Sequence, residues 1–384
     1  MKRVLFYCQH VLGMGHLVRS IEIVRGLYDF EVCFLNGGEV LSGIDVPSNV
    51  RLVNLPVLNS DEEFREIRAG TGEDLEAVKN RRASMLLDLV ADVRPDIAVI
   101  ELFPFGRRKF AFELIPMLDE IRSRQPAAKI ACSLRDIVVS KRDRERYEGK
   151  VRAILDKYFD LVLVHSDPAF QRLEESFLTA NQIRCPIQYT GFVVRQPDDC
   201  AASTKSRAGN ARIVASIGGG RVGSELLEAV MAASAQLQAS IPHELEIFTG
   251  PFLPEERFAQ LRAIAGDRDA ISLARFTPSL PLRLRQADLS VSMAGYNTCM
   301  DVVVAGVPAL LYPFTGGENE EQTTRARKLQ ALGAATVLES EDLDAGRLAQ
   351  KISSGLSHKA PKIALDVDGV RKTAALVRDL AGVQ

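Results

Sequence analysis

Twice along its length the chain repeats one pattern: a short apolar run, a glycine-rich or polar turn, then a stretch with helical spacing. RVLFY leads into the amphipathic stretch GHLVRSIEIVRGLY, and FEVCFLN stops at Gly37-Gly38. RLVNLP, DIAVIE, KIACSL, LVLVH and IQYTG follow as further strands. Residues 61–93 are charged and periodic, with Leu75, Val78, Leu86, Leu87 and Val90 as the predicted inner face of a helix. The stretch Gln196–Ala211, QPDDCAASTKSRAGNA, is small, polar and contains proline, as a linker does. Then the pattern restarts with RIVASIGGG, SELLEAVMAASAQL, LEIFTG, PEERFAQLRAIAG, AISLARF, LPLRLRQA and LSVSM. Strand followed by helix, over and over, leaves few choices: parallel sheets with helices laid across their faces. The expectation is an α/β protein of two consecutive doubly wound, Rossmann-like domains facing a central cleft, 1–196 and 211–384, joined by a linker at 197–210. A chain of 384 residues has room for both. The final stretch VRKTAALVRDL reads as a helix able to pack back on the first domain, with Asp368 as its N-cap.

Charge and cysteine usage remove several classes of partner. A formal net charge of −2 gives no reason to expect nucleic acid. Hydrophobic content of 46% supports large cores, and 26% charged residues fit a soluble protein, expected in the cytoplasm. Six cysteines are scattered without a CxxC pair or Cys/His ladder, which reads as buried thiols in a reducing compartment. MKRVLFYCQH turns polar too early for a signal peptide, and no run approaches the roughly 18 apolar residues of a membrane span. The DxD at Asp366 and Asp368 runs into a helix, so no required metal is expected from it.

Ligands of doubly wound sheets lie beyond the carboxyl ends of the strands, so residues just after strands carry the weight. Gly13-Met14-Gly15-His16-Leu17-Val18-Arg19 joins RVLFY to its helix. The glycines allow a sharp turn, and His16 falls at a helix N-terminus, whose dipole disfavours the imidazolium and suits a neutral general base. A base histidine is oriented by a carboxylate, and two candidates end strands: Glu101 after DIAVI and Asp136 in SLRDI. Phe103–Phe110, FPFGRRKF, sets exposed aromatics among three cations.

In the second half, Gly218, Gly220 and Gly223 match GxGxxG. A dinucleotide fold wants an acid at the end of the next strand, and LEIFTG ends in Thr249-Gly250, so NAD is rejected. Leu289–Thr324 reads strand, Gly295, helix opened by Asn297 and Thr298 and closed by Gly306 and Pro308, strand ALLYPF, then an acidic loop through Glu318 to Gln322. Such a strand–glycine–helix junction aims backbone N–H groups past the strand end. With the helix dipole and the Thr298 hydroxyl they make an anion site suited to a diphosphate. Asp301 lies one turn further on.

Ser292, Ala294-Gly295, Asn297-Thr298, Gly306-Val307-Pro308, Pro313-Phe314 and Gln322 resemble the donor-binding motif of GT-B glycosyltransferases, nearest to family 28, which includes the UDP-N-acetylglucosamine transferase that makes lipid II. The resemblance implies that Asp301, standing where the family has Glu, holds the ribose, and that Gln322, with Glu321 beside it, holds the sugar. It implies donor contacts at Gly15, at Gly218-Gly219-Gly220, at Ser292 and Gly295, at Arg195 for the diphosphate, and at Phe276-Thr277 for the uracil. The implied activity is inverting, metal-independent transfer of a sugar from a nucleotide donor, most simply UDP-linked, to an acceptor hydroxyl, with His16 as base and no cofactor beyond the nucleotide-sugar co-substrate. The acceptor (a glycan, a lipid-linked molecule or a small molecule) is not named by the motifs. By the same resemblance Phe103–Phe110 would meet an anionic acceptor or the inner face of a membrane; the residues themselves favour a solvated basic edge anchored by two phenylalanines. Gly13–Arg19 equally resembles the GxGHxxR loop of UDP-sugar hydrolases in pseudaminic acid synthesis. A hydrolase in which His16 activates water, and a non-catalytic nucleotide-sugar-binding protein, therefore stand as alternatives.

Overall fold

A computed structural model describes residues 1–10, 14–40, 45–60, 66–70, 72–139, 142–195, 209–316 and 320–383. The chain divides into two compact units, Met1–Val194 with Leu365–Gln384, and Arg195–Ala364. Most of the expected linker, together with Gly13 and Glu318, lies outside the described residues.

The first unit is built on β1 (Arg3–Cys8), β2 (Glu31–Asn36) and β3 (Val50–Asn54), a small antiparallel pair β4 (Leu58–Ser60) and β5 (Ile67–Ala69), then β6 (Ile97–Glu101), β7 (Lys129–Arg135), β8 (Leu161–His165) and β9 (Ile187–Tyr189). Its helices are α1 (Gly15–Arg25), α2 (Leu75–Val93), α3 (Ala111–Arg124) and α4 (Arg144–Tyr158). The main sheet runs β3-β2-β1-β6-β7-β8-β9, and every pairing in it is parallel. Chain order reverses between β1 and β6, so the loops after these two strands part to opposite faces and leave a crevice at the carboxyl edge. Apolar runs such as VLFY and IAVI are buried throughout, as strands covered on both faces must be.

The second unit repeats the design with β10 (Ala211–Ser216), β11 (His243–Phe248), β12 (Ile271–Ala274), β13 (Leu289–Met293), β14 (Ala309–Tyr312) and β15 (Ala335–Val337). Its helices are α5 (Ser224–Leu237), α6 (Glu255–Ala265), α7 (Leu280–Gln286), α8 (Tyr296–Ala305), α9 (Glu321–Ala331) and α10 (Ala345–Ser357). The sheet order is β12-β11-β10-β13-β14-β15, again all parallel, with its reversal between β10 and β13. The chain then returns to the first unit, where α11 (Gly369–Ala381) packs on α1 and Arg378 forks onto Asp29 through Nε (2.6 Å) and Nη2 (2.8 Å). Among the described residues no helix is long and apolar enough to cross a membrane.

Four local expectations are corrected. Phe103, Phe105 and Phe110 are not exposed; they are 0%, 3% and 4% accessible. Phe105 packs edge-on against Phe177 (5.1 Å between centroids) and its carbonyl accepts the Tyr147 hydroxyl, so the rings belong to the core and only Arg108 and Lys109 face solvent. In α2 the buried stripe is Val78, Arg82, Leu86, Leu89 and Val90, with Leu75 and Leu87 only half-buried. The fully buried guanidinium of Arg82 satisfies itself on both oxygens of Glu113 (2.6 and 2.7 Å), on the Gln9 side chain (2.7 Å) and on the carbonyls of Gly37 and Pro56 (3.1 and 2.7 Å). Asp368 occupies the position before α11 but does not cap it, because its carboxylate takes the Arg371 guanidinium instead. Glu321 and Gln322 do not sit in a loop; they form the first turn of α9.

Candidate active site

His16 is the second residue of α1, at the reversal point of the first sheet. Glu101 is the last residue of β6, the strand paired with β1. The two meet: His16 Nδ1 lies 2.7 Å from Glu101 Oε1. Arg19, one turn along α1, reaches the same oxygen and is itself 2% accessible. The i, i+3 spacing of His16 and Arg19 puts both on the face of α1 turned to the strand end.

Glu101 is wholly buried. Burial opposes its charge, yet His16, Arg19 and Arg107 hold its carboxyl down to about 2. Burial pushes His16 down to about 3, and the Glu101 carboxylate offsets only part of that. At pH 7 the ring is therefore neutral. Opposite a carboxylate its Nδ1 must carry the hydrogen, which leaves the lone pair on Nε2. Glu101 Oε2 has no hydrogen-bond partner among the described residues, an unusual state for a buried carboxylate oxygen.

Of the two carboxylates expected to orient His16, the structure brings Glu101 to it. Asp136 is buried just past β7 and accepts the Ile137 N–H (3.0 Å). Gly15 opens α1 beside His16. His165 is a satisfied core histidine, 2.8 Å from Ser133 Oγ and 2.9 Å from Thr190 Oγ1. Gln9, whose carbonyl accepts Arg107 Nε at 2.7 Å and whose side chain is gripped by Arg82, anchors the chain ahead of the His16 loop. In the sequence Arg19 has no role beyond its place in the GxGHxxR match, and Arg82 has none. The i, i+3 spacing to His16 was the further signal for Arg19.

The second reversal point gathers most of the predicted donor residues. β13 ends and Gly295 caps α8 with no side-chain acceptor of its own; a Cβ placed there would meet nothing within 4 Å. The first N–H groups of an α-helix have no intrahelical acceptor. Asn297 and Asp301 stand at i and i+4 on one face of α8, partly exposed, and Thr298 is 8% accessible. The helix ends on Gly306 in the left-handed conformation (φ 63°), as its sequence predicts.

On the adjacent strand, Ser216 pairs in register with Ser292. Ser292 is fully buried and shares a hydrogen bond with Ser290 (3.0 Å), while Ser216 Oγ, also buried, has no partner among the described residues. Gly218 turns at φ 68° with open space before it, whereas Gly220 (φ 91°) is needed for packing: its Cβ would lie 2.4 Å from the Thr249 carbonyl oxygen. Gly219 accepts Phe252 N–H at 2.9 Å, tying the two loops together.

Three predicted residues are engaged by the protein itself. Gln322 Oε1 accepts the Phe314 N–H (3.0 Å), so its amide NH2 is the group it offers. Glu321 is 5% accessible and ion-paired with Arg325 (2.6 Å). Arg195 donates to the Pro278 carbonyl, next to the Phe276-Thr277 turn, where Thr277 Oγ1 accepts the Ser279 N–H (3.1 Å). The turn precedes α7, which packs on α8. The DxD carboxylates are taken by Lys372 and Arg371. The five described cysteines are free thiols.

Residues 214–366 match the profile of the glycosyltransferase family 28 C-terminal domain. The chain is a family 28-like GT-B protein. The motif from Ser292 to Gln322, on which that family was expected, lies inside the matched region. Curated relatives include the UDP-N-acetylglucosamine--N-acetylmuramyl-(pentapeptide) pyrophosphoryl-undecaprenol N-acetylglucosamine transferases of Rhodospirillum centenum and Chromobacterium violaceum. The first is 30% identical over 32% of this chain and 33% of its own length; the second is 30% identical over 48% of each. The chain thus spans between a third and a half of these relatives. Solved structures show the GT-B fold over the full length. MurG of Acinetobacter baumannii is 16% identical at a TM-score of 0.61, covering 99% of this chain and 100% of its own. A protein described as a putative UDP-N-acetylglucosamine 2-epimerase from Listeria monocytogenes is 14% identical at 0.62, covering 100% and 97%. Proteins described as a transferase and as an epimerase share this fold, so the chemistry rests on the site.

Proposed function

We propose that the protein is an inverting glycosyltransferase that moves a sugar from a UDP-linked donor to an acceptor hydroxyl. The observation that carries the reading is the buried His16–Glu101 pair, which fixes the tautomer and leaves Nε2 as a base. The acceptor oxygen attacks the anomeric carbon from the face opposite the leaving group. Nε2 takes the hydroxyl proton as the new C–O bond forms. The bond from the anomeric carbon to the diphosphate oxygen breaks, and UDP leaves with the electron pair. Glu101, kept ionised by Arg19, stabilises the imidazolium as it develops.

The donor contacts assigned to the second unit are the open end of α8 with Asn297 and Thr298 for the diphosphate, Arg195 for added positive charge, Asp301 for the ribose and the Gln322 amide for the sugar. Backbone N–H groups and arginine suffice to meet the charge on departing UDP, so no metal is required. The curated relatives' printed activity supports a nucleotide-sugar donor. The acceptor is assigned only as a hydroxyl compound.

Calorimetry with UDP, GDP, dTDP and NAD tests the donor half, and His16→Ala tests the base. The reading expects UDP to bind best and to bind His16→Ala within about twofold of wild type, while turnover falls at least about a hundredfold. Absence of binding to every diphosphate refutes it. Release of free sugar from UDP-sugar at full rate without any acceptor makes the protein a hydrolase on the same site.

A further inference from the structure

We propose that Arg325 is a positioning residue for the diphosphate end of the donor site, acting through the peptide that caps α8. The inference rests on the diphosphate reading above and adds to it a residue outside the binding motif. Arg325 stands in the middle of α9 and is completely buried. Its Nη1 donates to the Ala294 carbonyl at 3.0 Å, and its Nη2 donates to Glu321 Oε1 at 2.6 Å. The guanidinium lies 5.6 Å from the centre of the Tyr296 ring. Its partners thus flank Gly295, the cap of α8, on both sides.

The consequence follows from peptide geometry. A trans peptide carries its C=O and N–H on opposite sides. Drawing the Ala294 carbonyl toward α9 turns the Gly295 N–H the other way, to join the leading N–H groups of α8. A guanidinium is a rigid planar fork, so holding Glu321 with one arm fixes where the other can point. Glu321 neutralises the added charge, so Arg325 acts by orienting the turn rather than by attracting the anion. The same pair accounts for a carboxylate beside Gln322 at an anion-binding site: its charge is met by Arg325.

The test separates the phosphates from the rest of the donor. Uridine and UDP share base and ribose and differ only in the diphosphate. Arg325→Met should weaken UDP binding about tenfold and leave uridine binding unchanged. Arg325→Lys keeps the charge, cannot hold both partners, and should shift UDP in the same direction. Thermal melting identifies which variant folds; should the methionine variant fail to fold, the lysine variant carries the test. A folded variant with the wild-type ratio of UDP to uridine affinity overturns the inference, and so does an equal loss for both ligands, which marks a merely structural role. If the wild-type protein binds no UDP, the diphosphate reading itself fails, a result distinct from the other two.

Discussion

Lowering the pH from 7 to 5 should cost the first unit about 6 kcal/mol of folding free energy. His10, His16 and His165 all lie in this unit, and burial pushes them down to about 4, about 3 and about 3. An unfolded histidine titrates near 6.5. The folded values are the lower ones, so the unfolded chain takes up protons first. Stability from these groups is complete above about pH 6.5 and is lost as pH falls toward the folded values. At pH 5 each histidine favours the unfolded chain by about 2 kcal/mol, and three together by about 6, against a typical domain stability of roughly 5–15. The chain has no tryptophan, so urea unfolding is best followed by circular dichroism. Below pH 6 the midpoint should fall steeply, with close to three protons taken up on unfolding. His165→Gln should remove about a third of that slope. A stability that is flat from pH 7 to 5 would refute the argument, since it would mean that the rings already accept protons in the folded state.

Two further expectations concern single side chains. Arg82→Met leaves the Glu113 carboxylate buried without its fork and should destabilise the protein by about 3–5 kcal/mol, whereas Arg82→Met with Glu113→Leu should recover most of it; a single variant that melts like wild type would show that the pair is not desolvated. Asp301→Ala should weaken UDP binding about tenfold, and unchanged affinity in calorimetry would remove the ribose assignment.

The fold was legible because it is written in short-range pattern. The central strands β1, β6, β8 and β13 are buried, largely apolar runs, and the glycines at 295 and 306 mark the ends of α8 with no need of tertiary information. The reversal points follow from strand order, and strand order follows from chain order in a doubly wound sheet. What the pattern hid were polar groups whose partners are distant in sequence. Arg82 stands on the inner stripe of α2, where a periodicity count skips a charge, because Glu113 answers it from another helix. The phenylalanines of FPFGRRKF looked exposed because cations surround them, yet Phe105 finds Phe177 far along the chain. The carboxylate that faces His16 was narrowed to two strand ends; only the register of β6 beside β1 chooses Glu101. Gln322 was placed in a loop because the acidic residues before it resemble one, though α9 begins a residue earlier.

The second unit occupies one unbroken segment, Arg195–Ala364, while the first is closed only by Leu365–Gln384. In the order of synthesis, the domain that begins first finishes last. Chain leaving the ribosome can complete the β10–β15 sheet before α11 exists, whereas α1 waits for its covering helix through the whole of that interval. The Phe192 N–H, which bonds the Asp366 carbonyl, and the Phe192 carbonyl, which accepts the Gly369 N–H, wait with it. An apolar flank of the first unit is therefore uncovered for the longest stretch of translation, so termination just after Ala364, before α11 is made, leaves a finished second domain attached to an unfinished first one.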